Sequence, residues 1–210
     1  MSIDATDHTL FDGGRAPNPR RVAMYLAERD IEVTVKPVDM GALEHKSDSI
    51  SALNPLKQLP LLQLPDGSVL TESVAICRYF DLSFPGSGLF GEGPKGQAFV
   101  EMWQRRIELQ FLYPVAQAFR HIHPAMTDWE VPQIQDWGEA NKPKAVRFAG
   151  LLNDHLKEHR FICGDTFTIA DITAIIAVDF SKVARISYDE KLTDLHRWVD
   201  DARARPSYSL

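Results

Sequence analysis

Two short stretches hold the residues best able to bind a small polar ligand. In "LTESVAI", Thr71 reads as an N-cap, which places Glu72 and Ser73 in the first turn of a helix. Free main-chain N–H groups and the helix dipole attract an anion there. A ligand with an α-carboxylate beside an α-ammonium fits: the carboxylate to the Ser73 hydroxyl and helix amides, the ammonium to Glu72. In "NPLKQLPLLQL", Pro60 opens a strand after a loop. If the Leu59–Pro60 bond is cis, the N–H and C=O of Leu59 turn from the sheet and offer an extended ligand a pair of main-chain hydrogen bonds. An ordinary trans edge proline and a simple helix cap are the competing readings of these two features.

The remaining polar clusters are weighed in the same way. Arg15, Arg20 and Arg21 form a local basic group able to receive a small anion. His121 and His123 lie two apart on a helix and so point to opposite sides, which suits a single base near pH 7 and not a metal pair. His155 and His159 have metal-compatible i,i+4 spacing but sit among Asp154, Lys157 and Glu158 on what reads as a wet face, so no metal site is expected. Cys77 and Cys163 lie in apolar surroundings without metal-ligand or redox spacing, and both read as small core residues of a reduced compartment.

The elements that must position these groups fall into two kinds. Residues 1–84 alternate strand and helix signals: "HTLFD", then the helical spacing of Val22, Met24, Tyr25 and Leu26, then "IEVTVKPV". Two further strands meet at a turn on Asp66-Gly67, and a helix follows. This β-α-β, β-β-α order predicts a small mixed sheet with helices packed on it. Residues 85–97 are rich in glycine and proline and read as a linker; residues 98–210 carry helical patterns only. Pro114 is expected to kink the first long helix, and "TIADITAIIAVDFSKVARI" to form the buried core helix. The chain has 210 residues and a net charge of −6, which disfavours nucleic acid as a partner. No apolar run is long enough to span a bilayer, and the polar, acidic start does not read as a signal peptide, so the expectation is a cytoplasmic protein without a membrane partner.

"NPLKQLPLLQLPDGSVLTESVAICRYF" resembles the glutathione-site signature of the glutathione S-transferases, "FTIADIT" looks like that family's capping box with Thr168 and Asp171, and "LHRWVDDARARPS" looks like its terminal helix. The resemblance implies a thioredoxin-like N-terminal α/β domain followed by an all-α domain, and a homodimer in which Arg105, Arg106 and Glu108 supply polar contacts. It implies that Leu59 pairs with the cysteinyl backbone of glutathione, that Glu72 and Ser73 hold its γ-glutamyl end, and that His45, Lys46 and Gln58 meet its glycine carboxylate, with solvated loop polarity as the competing reading of His45 and Lys46. Gln58 stands where many relatives carry Lys.

The loop "GGRAPNPRRV" departs from the pattern: the usual activating hydroxyl falls on Ala16, as in a theta-like fungal and bacterial branch that lacks the usual Ser, Tyr or Cys. Arg15 and Asn18 are the nearby polar side chains. With Pro19 in the first helical turn and Asn18 as N-cap, the helix N-terminus is expected to stabilise the thiolate, alone or with a water held by His121 or His123. Phe111, Tyr113, Phe119 and Met126 offer an apolar lining for a hydrophobic electrophile, and are equally good core residues, the role expected for most of them. The implied function is transfer of glutathione to such an electrophile in detoxification, with no metal; the alternative is a non-catalytic glutathione carrier or interaction protein of the same fold.

Overall fold

The computed structural model describes residues 2–84, 86 and 88–209. Pro85 and Ser87, which fall in the segment read as a linker, lie outside the described residues, as do Met1 and Leu210. The chain divides into two compact units, Met1–Leu89 with Pro206–Leu210, and Phe90–Arg205.

The first unit is built on a four-stranded sheet of order β2-β1-β3-β4, with β1 (Ile3–Asp12), β2 (Ile31–Pro37), β3 (Leu61–Gln63) and β4 (Val69–Leu70). β1 runs parallel to β2, and α1 (Pro17–Glu28) makes the crossover that a parallel pair requires. β3 is antiparallel to both β1 and β4. β1 begins well before "HTLFD" because Ile3, Asp4 and Ala5 pair with Ile31, Glu32 and Val33, after which the register shifts between Ala5 and Thr9. The turn between β3 and β4 is closed by the Asp66 carboxylate, which accepts from the Ser68 N–H at 2.9 Å, and Gly67 takes a positive φ of 85°. α2 (Asp48–Leu53) was not legible in the polar connection after β2; α3 (Ser73–Ser83) was, since Ser73, Ile76, Cys77 and Phe80 recur on one face and are all buried.

The second unit is helical. α4 starts at Gly93, inside the segment read as a linker, because Pro94 fits a first helical turn; it runs to Ile107. α5 (Tyr113–Ile122) continues from it, and the break at Pro114 takes the form of a π-helical stretch over Glu108–Leu112, in which the Tyr113 N–H reaches back to Glu108. A π turn absorbs the missing proline N–H that would otherwise interrupt the ladder. α6 runs over Gln135–Leu156, and Gly138 is required there because a Cβ would stand 2.6 Å from Ile122 Cγ1. α7 (Ile169–Val183) is buried without interruption from Ile169 to Val178, as its apolar circumference predicts. α8 (Thr193–Arg203) packs through Leu195, Trp198, Val199 and Ala202. Among the described residues, no helix is long and apolar enough to cross a membrane.

Candidate functional site

The N-terminus of α3 differs from expectation by one residue: Glu72, not Thr71, is the N-cap, and Ser73 is the first helical residue. Glu72 adopts φ 65° and ψ 110°, a conformation that costs a residue with a side chain about 1–3 kcal/mol. The first intrahelical bond is from Ile76 N–H to the Glu72 carbonyl, so the amides of Ser73, Val74 and Ala75 precede it. Glu72 is exposed and Ser73 is buried. Beneath Ser73 lies Arg21, which is 1% exposed. Its Nη1 donates to Ser73 Oγ at 2.6 Å and to Asn18 Oδ1 at 3.2 Å.

The start of α1 is also shifted. Ala16 is the N-cap, Pro17 the first helical residue, and Asn18 lies one position further in, so Asn18 does not cap the helix. Both prolines fit an N-terminal turn, and the earlier one wins. Pro17 and Pro19 have no N–H, and the Arg20 N–H bonds the Ala16 carbonyl at 3.0 Å. The Asn18 amide is therefore the one main-chain donor that the first three helical positions leave for a ligand. The loop before it is held tightly: a Cβ on Gly13 would stand 2.7 Å from Met40 Sδ and 3.2 Å from both Leu59 Cδ1 and Pro19 Cγ. Glycine at 13 is what lets the loop close onto Leu59. Arg15 is exposed.

The Leu59–Pro60 bond is cis. The Leu59 side chain packs with Val38, Ile50 and Leu61, and among the described residues its N–H and C=O enter no main-chain hydrogen bond. Lys46 and Gln58 are exposed, but His45 is only 3% exposed, and burial together with the Lys46 charge pushes its imidazole below the usual range. Near pH 7 it is a neutral hydrogen-bonding group. A pocket of about 480 Å³ opens between Asp12, Gly13 and Gly14 on one side and Val38, Asp39, Met40, Gly41 and Glu44 on the other. Burial holds the Asp12 carboxyl above the ordinary range, opposed by a bond from the Gly14 amide. Sequence patterning gave no access to this pocket, because glycine main chain forms much of its wall; the Gly13-Gly14 pair directly after a strand was the available signal.

Neither cysteine can supply a reactive thiolate. Burial pushes the Cys77 thiol far up, and that of Cys163 to about 12. Nor does Tyr25 offer a hydroxyl, since its buried OH donates to Asp81 at 2.9 Å.

In the helical unit both expected site histidines have local partners. His121 is 8% exposed; its Nδ1 accepts from the Ile134 N–H at 3.0 Å, and its Nε2 faces the Glu130 carboxylate at 3.8 Å. That arrangement fixes the proton on Nε2. His123 Nδ1 accepts from the Ala125 N–H at 3.2 Å and so caps the 3-10 turn Pro124–Met126. Phe111 is fully buried between Phe148 and Tyr188, with ring centroids at 5.5 and 5.9 Å, and belongs to the core instead of lining a pocket. Phe119 is half-buried against Phe180 at 5.0 Å, Met126 is half-buried, and Tyr113 is exposed. Arg105 pairs with Glu108 at 3.5 Å and Arg106 lies over the Trp103 ring. His155 Nε2 donates to the Ile162 carbonyl at 2.9 Å, and its ring packs on Trp103. Among the described residues, no group of three or more His, Cys, Asp or Glu is arranged to hold a metal ion.

Residues 16–82 match the glutathione S-transferase N-terminal domain, and residues 118–206 match the glutathione S-transferase C-terminal domain. Glutathione S-transferase 2 of Saccharomyces cerevisiae is 30% identical over 201 residues, covering 94% of this chain and 86% of the relative. Among solved structures, a glutathione S-transferase domain-containing protein of Marinobacter aquaeolei is 35% identical with a TM-score of 0.91, covering 95% of this chain and 99% of its own. The structure of Gtt2 from Saccharomyces cerevisiae is 30% identical with a TM-score of 0.89, covering 96% and 98%.

Proposed function

The chain belongs to the glutathione S-transferase family, and on that premise we propose that it binds glutathione on its first unit and transfers it to an apolar electrophile without an activating hydroxyl. The γ-glutamyl carboxylate meets the Ser73 hydroxyl and the first-turn amides of α3, and the γ-glutamyl ammonium meets Glu72. The cysteinyl main chain pairs with Leu59, and Lys46, Gln58 and neutral His45 serve the glycine carboxylate. The sulfur then lies at the N-terminus of α1.

The observation that carries the mechanism is the single free donor there. Pro17 and Pro19 remove two of the three first-turn amides, so the Asn18 N–H and the positive end of the helix dipole face the sulfur together. They favour the thiolate over the thiol, the proton leaves to solvent, and the thiolate forms its bond to the electrophilic carbon as the leaving group departs. Asn18 is accordingly the principal catalytic residue, and Arg15 an exposed cation near it. The local engagement of His121 and His123 supports placing activation on the first unit. The electrophile is apolar, and the pocket beside Gly13 and Met40 on the first unit is proposed to receive it. We place the protein in the cytoplasm as a homodimer with a detoxifying role, following the family.

Ala16 in the usual hydroxyl position favours one other reading, a carrier that binds glutathione without activating it. Glutathione affinity combined with titration of the bound thiol separates the two. Retention with a lowered thiol pKa supports the transferase, retention with an unshifted pKa leaves the carrier, and no retention removes both.

A further inference from the structure

We infer that Arg21 is a positioning residue that couples two adjacent parts of the glutathione site, acting through Ser73 at the γ-glutamyl group and Asn18 at the cysteinyl thiol. The inference rests on the glutathione-binding reading above and extends it. One guanidinium nitrogen, Nη1, carries two hydrogens, and it donates to Ser73 Oγ at 2.6 Å and to Asn18 Oδ1 at 3.2 Å. The two residues stand far apart in the chain and face neighbouring parts of the ligand, its γ-glutamyl and cysteinyl residues, and each is fastened to the same atom.

The chemistry of the donor fixes what each partner does. A guanidinium has five N–H donors, no acceptor, and stays charged. Ser73 Oγ must therefore accept from it, which leaves the serine proton free to be donated to a carboxylate. Asn18 must face Arg21 with its carbonyl oxygen, which leaves its Nδ2 hydrogens and its main-chain N–H for the ligand. A charge-assisted bond of this kind also polarises the serine hydroxyl and makes it a better donor to an anion. Arg21 is 1% exposed, on a helix face whose neighbours Val22, Tyr25 and Leu26 are buried. Keeping a cation in such a place costs far more than an aliphatic residue would. Its position, under the first turn of α3 and within one helical turn of Asn18, gives that cation two ligand-facing groups to hold.

The test compares binding of glutathione with that of cysteinylglycine, which lacks the γ-glutamyl group. Wild-type protein is expected to prefer glutathione; equal binding of the two peptides would remove the glutathione-binding reading itself, and the inference with it. Given that preference, Arg21→Gln is expected to reduce it at least tenfold. Asn18→Ala changes an exposed side chain at the thiol part of the site, so it remains informative if Arg21→Gln does not fold. It is expected to reduce the γ-glutamyl preference at least threefold, because Arg21 loses its bond to Asn18. An Asn18→Ala variant that leaves the γ-glutamyl preference at the wild-type value overturns the coupling.

Discussion

The indole N–H of Trp198 donates to the Asp171 carboxylate at 2.9 Å in the centre of the helical unit. The same carboxylate accepts from the Ile162 N–H at 3.0 Å and from both the N–H and the hydroxyl of Thr168 at 2.9 Å. Burial pushes the Asp171 carboxyl up, and these four donors oppose that shift. One side chain thus caps α7, fixes the segment before it and anchors α8. Asp171→Ala leaves several buried donors without a partner and is expected to destabilise the protein by about 3–5 kcal/mol. Trp198→Phe removes a single bond to a charged group and should cost about 1.5–3 kcal/mol from that bond. Urea unfolding midpoints measure both, and a smaller loss for Asp171→Ala than for Trp198→Phe would contradict this hierarchy.

Ala16 caps α1 without a side-chain acceptor. Ala16→Ser supplies one, and a Ser N-cap is more stable than Ala by about 0.5–2 kcal/mol. The resemblance of the loop to the family implies that the same hydroxyl would stand at the usual activating position. One added hydrogen bond to a charged sulfur, about 1.5 kcal/mol, corresponds to about one unit of thiol pKa. The variant should unfold at a higher temperature and bind glutathione with a more acidic thiol; a stabilised variant with an unchanged thiol would detach position 16 from the sulfur.

His121→Ala is expected to lower stability and to spare chemistry. The change leaves the Ile134 N–H without its acceptor, at a cost of about 1–3 kcal/mol. Conjugation at saturating substrates should stay within about twofold of wild type, a barrier change under about 0.5 kcal/mol. A tenfold fall in kcat with unaltered thermal stability would return activation to a water held by this histidine.

The histidines also set a pH dependence. Burial lowers the His45 imidazole below its ordinary value of 6.5, helped by the charge of Lys46. The unfolded chain then binds more protons than the native one in the window just below 6.5, so stability rises with pH across it. The contribution is fully present above about 6.5 and is lost as pH falls toward the lowered native value. His155, lowered chiefly by burial, acts in the same direction in the helical unit. His45→Gln should flatten part of the fall in melting temperature between pH 7.5 and 5.5; a slope identical to wild type would place the titration elsewhere.

Much of this arrangement was legible before the fold. The spacing of Ser73, Ile76, Cys77 and Phe80 defines one face of a helix wherever it packs, and the capping box at Thr168 and Asp171 is local chemistry. What periodicity could not rank were two prolines, Pro17 and Pro19, that both suit a helix start. Their order decides whether Asn18 caps the helix or presents its amide. The roles of His121 and His123 depend on what each Nδ1 meets, and Ile134 lies 13 residues from His121 in an unpatterned loop. Tyr208 and Ser207 follow the terminal helix in sequence, yet Tyr208 stacks on Arg20 and Ser207 bonds Glu28, which returns the end of the chain to α1 of the first unit. No local pattern announces such a long-range return.

The central claim is that a helix N-terminus with one free amide activates the thiol. Ultraviolet titration of glutathione bound to the wild-type protein tests it most directly. A free thiol titrates near about 8.5, and the bound one is predicted at least one unit lower, with Asn18→Ala and His121→Ala both retaining part or all of that shift because neither removes the Asn18 main-chain N–H. Bound glutathione titrating at the free value, or a lowered pKa that disappears entirely in His121→Ala, would contradict it.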